Sequence, residues 1–183
     1  TQAALCLNSA LPDCSPPGTS IVSITTLFRP ERRLFVGDLD LDFDAQRLLF
    51  SMPDATDHWQ VFEIGVDGTG LRRVTDPTVA CDCYKGSHSG QHDIAPAYLP
   101  DGWIVFCSSR CNRWVNCFYV RVAVLYRCEA DGSRLRMLSS NIEQDNTPWV
   151  LPDGRILYTR WEYVDRSREA FHHFWVMNPD GTA

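Results

Sequence analysis

The sequence Asp145-Asn-Thr-Pro-Trp-Val-Leu-Pro-Asp-Gly-Arg-Ile-Leu-Tyr-Thr-Arg-Trp-Glu-Tyr163 decides the fold, because it joins two short apolar runs through a Pro-Asp-Gly turn. The Asp-Gly pair accepts the positive φ of a tight turn, so the stretch predicts a β-hairpin. The second strand is apolar on both faces, with Ile156 and Tyr158 on one side and Leu157 on the other. We therefore expect both faces of this strand to be covered.

The hairpin has copies earlier in the chain. A close copy runs from Asp93 to Arg110 with the same Leu-Pro-Asp-Gly turn, and a weaker one runs from Asp42 to Ser51. A second signature, Asp-Gly followed by Thr or Ser, lies downstream of each hairpin, in 66–75, 130–139 and 178–182. Two hairpins in each unit of roughly 50 residues are typical of a four-stranded propeller blade. The sequence therefore predicts an all-β chain, a β-propeller fragment of about three four-stranded blades.

The repeats also predict the domain organisation. Residues 1–35 are predicted to be an N-terminal linker and strand, and residues 36–183 a partial β-propeller with blades at about 36–75, 93–140 and 145–183. The first strands of the second and third blades are predicted at 97–99 and 149–151. The sequence stops inside a turn signature, which favours a fragment of a larger protein.

Composition narrows the classes of partner. The chain has 183 residues, 44% of them apolar, and a formal net charge of −6. This charge gives no global reason to bind nucleic acid or an anionic membrane. No apolar run approaches the roughly 18 residues of a membrane-spanning helix. Eight cysteines are many for a cytosolic protein, so we expect an exported protein, periplasmic or extracellular.

Two long inserts interrupt the predicted strands, and such loops usually carry the function of a propeller. The first contains Cys81, Cys83, His88 and His92, a set of thiols and imidazoles that zinc prefers. The hypothesis is that these four residues bind one Zn²⁺ or hold an iron cofactor from a neighbouring domain. The Cys-x-Cys spacing is unfavourable for a structural zinc site. The alternative is a disulfide from Cys81 or Cys83 with solvated histidines.

The second insert contains Cys111 and Cys117 on either side of Trp114. Their spacing allows a small ring, and we predict a disulfide worth about 2 kcal/mol by loop closure. The alternative is that both are buried thiols. Cys107 and Cys128 are predicted on adjacent strands of one blade, with no register to say whether they face each other.

Asp93 and Asp145 recur at the same distance before the turn aspartate of their hairpins. One hypothesis places both carboxylates along a central channel. The favoured alternative is that each accepts hydrogen bonds from backbone N–H groups where one blade passes to the next.

Three motifs carry a family resemblance. The turn Asp-Gly-Thr/Ser followed by Leu-Arg resembles the WD40-like repeats of TolB-type propellers. The stretches 99–111, 153–165 and 174–182 resemble more closely the large exported planctomycete proteins related to the hydrazine synthase alpha subunit. The resemblance covers about residues 36–183. It implies a β-propeller, of about six or more blades in the intact protein.

Three functions are compatible with this resemblance. The first is a non-catalytic exported propeller module that binds a protein or a ligand. The second is part of a hydrazine synthase alpha-like haem or metal redox enzyme subunit, and the third is the propeller domain of a serine peptidase. Covalent c-type haem is not supported, because no Cys-x-x-Cys-His is present, and no Gly-x-Ser-x-Gly is visible. No catalytic residue is predicted, and the expected partner is another protein or missing domains of the same chain.

Overall fold

The computed structural model describes residues 25–78, 90–116, 119–164 and 172–183. Within these ranges the chain forms antiparallel sheets, and none of its segments is a helix that could cross a membrane. The first sheet contains β1 (Gly37–Leu41), β2 (Arg47–Pro53), β3 (Trp59–Gly65) and β4 (Arg72–Arg73). The second contains β5 (Asp93–Tyr98), β6 (Ile104–Ser108), β7 (Val124–Cys128) and β8 (Arg136–Met137). The third contains β9 (Asp145–Val150), β10 (Ile156–Trp161) and β11 (His172–Met177).

The sheets stand side by side with their first strands adjacent. Strand β5 packs against β1 on one side and β9 on the other. The Tyr98 N–H donates to Asp40 Oδ2 at 2.8 Å and the Ala95 N–H donates to Ser51 Oγ at 3.1 Å. Meander sheets that meet in this way through their first strands are neighbouring blades of a β-propeller, so the predicted fold is confirmed.

The second sheet is apolar on both faces. Ile104 and Phe106 point into a core shared with the first sheet, while Val105 points into a core shared with the third sheet. Ile156 and Tyr158 of the third sheet lie in that second core, as their pattern predicts. The alternation of side chains along each strand produces this two-sided burial.

The third sheet has one face that no other described part of the chain covers. Phe174 on β11 is 77% exposed, and Leu157, on the face opposite Ile156 and Tyr158, is only partly buried. Among the described residues no strand pairs with the outer edge of β11. The expected cover on both faces is therefore present for the second sheet and not for the third.

Residues 25–36 form no strand, so the strand predicted within 1–35 is not found in the part that the structure describes. Leu27, Phe28 and Val36 instead pack on the outer face of the first sheet, against Leu48 and Phe50 among others. This segment covers the face that no neighbouring sheet covers.

The first strands of the second and third sheets begin earlier than predicted. Each contains a β-bulge before its proline, at Ala95 and Thr147, with φ values of 51° and 52°. The residues before Pro96 and Pro148 therefore belong to the strands, although the prediction started each strand after its proline. At a bulge a residue leaves the hydrogen-bond ladder, so a proline without an N–H is tolerated there.

The two ends of the sheets differ in their connections. The Asp-Gly turns, such as Asp101-Gly102 and Asp131-Gly132, lie at one end, which we call the turn face. The segments 54–58, 90–92, 109–116 and 119–123 lie at the other end, which we call the insert face. The insert face is therefore the end at which we expect function.

Backbone contacts join neighbouring sheets at the turn face. A Cβ on Gly132 would lie 2.0 Å from Val74 O, and a Cβ on Gly181 would lie 2.8 Å from Leu138 O. Two arginines donate hydrogen bonds across the same pairs of sheets. Arg72 of the first sheet donates to Ala130 O at 2.7 Å, and Arg127 of the second sheet donates to Pro179 O at 2.6 Å. The Asp131-Gly132 and Asp180-Gly181 turns thus pack on the backbone of the preceding sheet.

Gly132→Ala is expected to destabilise the chain by at least about 3 kcal/mol, because the new Cβ meets a backbone carbonyl that cannot move freely. Gly102→Ala is the matched control, since Gly102 has a similar positive φ of 81° and no atom within 4 Å of a Cβ. Its cost is the backbone strain of about 1–2 kcal/mol. Urea denaturation measures both, and equal losses would contradict the close packing of Gly132.

The turn aspartates are held by hydrogen bonds. The N–H and hydroxyl of Thr69 donate to Asp67 Oδ1 at 2.9 and 2.8 Å, and Thr182 donates to Asp180 Oδ1 in the same way at 3.0 and 2.8 Å. These bonds favour the ionised carboxylate, so they lower the pKa of Asp67 and of Asp180.

The stability of the chain should therefore fall in acid. The folded pKa of Asp67 lies below its unfolded value of about 3.9, so its contribution is complete above about pH 4 and is lost as the pH falls through the folded pKa. Asp67→Asn should reduce the loss of stability between pH 5 and 3, measured by denaturant titration at each pH. Asp44→Asn is the control, because the Asp44 carboxylate accepts no hydrogen bond from a described residue. Identical pH profiles for the two variants would refute this role of the turn.

Candidate functional site

A pocket of about 390 Å³ opens on the insert face of the second sheet. It lies where β5 begins and β6 ends, and the segment between β6 and β7 closes it. The lining includes His92, Ser109, Trp114, Tyr119, Val120 and Arg121. This volume is within the range of small-molecule sites.

The segment between β6 and β7 forms a small hairpin of its own. The Val115 N–H donates to Val120 O at 3.0 Å, and the Val122 N–H donates to Arg113 O at 2.9 Å. Val115 and Val122 are buried in the core between the first two sheets. Alternation along this hairpin leaves Trp114 exposed on the other side, with its ring 5.3 Å from that of Tyr119.

Arg121 lies at the base of this aromatic pair. Its Nη1 donates to Asn112 Oδ1 at 2.7 Å, and its guanidinium carbon lies 5.2 Å from the centre of the Trp114 ring. Among the described residues no carboxylate forms an ion pair with it. The guanidinium is therefore positioned by neutral groups and keeps its positive charge beside the pocket.

His92 is fixed by three hydrogen bonds. Its N–H donates to Ser109 Oγ at 2.9 Å, and its carbonyl accepts from the Ser109 N–H at 3.1 Å. Its Nδ1 accepts from the Trp59 N–H at 3.2 Å, so the neutral ring carries its proton on Nε2. Burial, together with the His58 ring 5.6 Å away, lowers the pKa of His92. The imidazole is therefore a neutral donor at pH 7.

The predicted metal site lies mostly outside the described residues. Cys81, Cys83 and His88 belong to the segment 79–89, and only His92 is described. No group of three or more potential ligands occurs within the described ranges. The Zn²⁺ site stays a prediction, and in this geometry His92 offers Nε2 rather than Nδ1 to a ligand.

The cysteines of the second sheet are thiols. Cys111 is buried and its Sγ donates to Val122 O at 3.4 Å, while its predicted partner Cys117 lies outside the described residues. The disulfide is not formed in this structure, in which Cys111 is a free thiol, and its formation in an oxidising compartment stays a prediction. Cys107 and Cys128 do not face each other, because Cys107 pairs with Leu125 and Cys128 with Ile104. Burial raises the pKa of both Cys107 and Cys128, to about 12 for Cys128, so neither is a reactive thiolate.

Two aspartates, at the starts of β5 and β9, form ion pairs with arginines. Asp93 is fully buried and accepts from Arg110 Nη2 at 2.6 Å and from Ser108 Oγ at 2.6 Å. Asp145 accepts from Arg160 Nε at 2.8 Å. We expected backbone N–H groups to donate to both carboxylates, but side chains donate to them instead. An arginine follows each hairpin in the sequence, and this is the signal from which the two ion pairs could be predicted. The two arginines occupy different positions in their repeats.

Asp93→Asn is expected to destabilise the chain by about 3–5 kcal/mol, because asparagine cannot carry the charge that faces a buried guanidinium. Asp145→Asn should cost less, since the Arg160 side chain is 17% exposed and can reach water. Adding Arg110→Met to Asp93→Asn should recover part of the loss. Thermal denaturation of the four-member cycle tests this, and strictly additive losses would rule out the coupling.

No family model and no curated protein matches the sequence. Solved structures do match. A TolB from Agrobacterium tumefaciens aligns with a TM-score of 0.60 and 16% identity, over 83% of this chain and 48% of that chain. Hydrazine synthase from Kuenenia stuttgartiensis aligns with a TM-score of 0.61 and 16% identity, over 81% of this chain and 24% of that chain.

A puromycin hydrolase is similar over a smaller share of its length. It aligns with a TM-score of 0.50 and 14% identity, over 81% of this chain and 21% of that chain. The chain thus spans about half the length of the TolB and about a quarter of the hydrazine synthase chain. At these identities the likeness concerns the fold alone. The chain has the fold of part of a β-propeller, of the kind found in TolB and in hydrazine synthase.

Proposed function

We propose that this chain is part of a non-catalytic, exported β-propeller that binds a ligand or a partner protein through its insert face. The pocket beside Trp114, Tyr119 and Arg121 is the observation that carries this proposal. Exposed Trp, Tyr and Arg side chains are enriched at binding surfaces, where they contribute much of the affinity.

The scaffold beneath the pocket favours binding. Val115 and Val122 anchor the small hairpin in the core, and the Asp93–Arg110 pair fixes the strand ends below His92 and Ser109. A rigid base lowers the entropy lost when a ligand binds. The described side chains that line the pocket are suited to bind and orient a ligand. The thiol of Cys107 also lines the pocket, and burial keeps it protonated.

Export is supported by the high cysteine content of the sequence and by the likeness to TolB. The three cysteines in the described ranges are free thiols. Support for export from disulfide formation therefore depends on the cysteines within 1–24 and 79–89 and on Cys117.

The redox-subunit and peptidase alternatives depend on residues beyond these 183. The chain spans only 24% of the hydrazine synthase chain and 21% of the puromycin hydrolase chain. A Cys-x-x-Cys-His or a Gly-x-Ser-x-Gly in the rest of the gene would favour one of these alternatives.

Binding at the insert face is tested by a ligand-observed NMR screen with small anionic, neutral and cationic compounds. Trp114→Ala should weaken the compounds that bind by about 10-fold or more, because a central aromatic anchor is lost. Trp149→Ala is the control, since Trp149 is 65% exposed and does not line the pocket. Binding that is insensitive to Trp114→Ala, or that maps to the turn face, would overturn the proposal.

A further inference from the structure

We infer that the pocket takes a small organic carboxylate, in which a negatively charged group is attached to an apolar, planar body. This inference rests on the proposed binding function and adds the chemical class of the ligand. It follows from the donors that face the pocket, from the absence of acidic residues among its described lining, and from the aromatic surface beside it.

Three residues that line the pocket carry donor groups that no described residue uses. Arg121 uses Nη1 on Asn112 and forms no ion pair among the described residues. His92 uses Nδ1 as an acceptor, so its Nε2 carries a proton for which no described residue is the acceptor. Ser109 is buried at 5% exposure, and its oxygen accepts from the His92 N–H, which leaves the hydroxyl proton without a described acceptor.

No carboxylate among the described lining residues competes for these donors. None of the described residues that line the pocket is Asp or Glu, and the buried carboxylate of Asp93, next to His92 in the sequence, is engaged by Arg110. The whole chain carries a formal net charge of −6, so this local excess of donors runs against the global charge. Donors without acceptors in a partly desolvated site favour an oxyanion over a neutral or cationic group.

The remaining lining sets the shape of the ligand. Ile94, Val120 and Ala123 are apolar, and Trp114 and Tyr119 present aromatic faces at the rim. A planar apolar body packs on such surfaces, while the carboxylate reaches the guanidinium, whose fork matches two oxygens. A bare inorganic anion would leave this apolar surface unused.

The test uses three probes of the same shape and different charge: benzoate, benzamide and benzylammonium. Affinities for the full chain are measured by calorimetry and by NMR at constant ionic strength. Benzoate should bind at least about 10-fold more tightly than benzamide, since a hydrogen bond to a charged group is worth about one factor of ten or more. Benzylammonium should bind most weakly.

Arg121→Met should weaken benzoate binding by about 10-fold or more and leave benzamide binding nearly unchanged. Arg136→Met is the matched control, because Arg136 lies exposed on β8, away from the pocket, and its loss changes the net charge equally. Arg121→Lys keeps the charge and loses the planar fork, so its effect should be smaller. Arg121→Lys also serves if the methionine variant does not fold.

Equal binding of benzoate and benzamide, no binding of benzoate, or equal effects of Arg121→Met and Arg136→Met would overturn the inference. In each of these cases the binding function stands if other compounds from the screen still depend on Trp114. If no compound of any charge depends on Trp114, both the inference and the proposed function fail.

Discussion

Burial of both faces of the second sheet is the constraint on which the rest of the structure depends. Val105 and Leu125 face the third sheet, Phe106 and Tyr126 face the first, and all four are fully buried. Side chains of this size contribute about 1.5–3 kcal/mol each when buried. A sheet with two apolar faces is stable only between two others, so the first and third sheets owe their positions to it. The pocket lies at the end of this central sheet, where β5 begins and β6 ends.

The sequence predicted the sheets because the signals that define them are local. An Asp-Gly turn between two apolar runs specifies a hairpin without knowledge of any distant residue, and the repeats at 93–110 and 145–163 specify the blades. The starts of β5 and β9 escaped prediction because bulges at Ala95 and Thr147 accommodate the prolines that follow. A bulge takes a residue out of the hydrogen-bond ladder of the strand, and amino-acid composition does not reveal where this happens.

The candidate site could be predicted only in part, for the same reason. The inserts predict the end of the sheets at which the site lies, yet His92, Ser109 and Arg121 come from three separated positions. The small hairpin that brings Arg121 back toward β5 is held by the burial of Val115 and Val122, which depends on contacts with the first sheet. Likewise, the partners of Asp93 and Asp145 are arginines at different repeat positions, so the repeat alone does not identify the pairs.

The contacts at the turn face have a further consequence, which concerns loop grafting. Where Gly132 meets Val74 and Gly181 meets Leu138, backbone approaches backbone, and the side chains of Arg72 and Arg127 donate hydrogen bonds across the same pairs of sheets. These contacts help to set the angle from one blade to the next at the turn face. Segments at the opposite end can be lengthened, shortened or exchanged without changing that angle, provided that their buried anchors are kept. A protein engineer could therefore replace the exposed part of the hairpin between β6 and β7 and retain the blades, which makes this chain a scaffold for new binding loops.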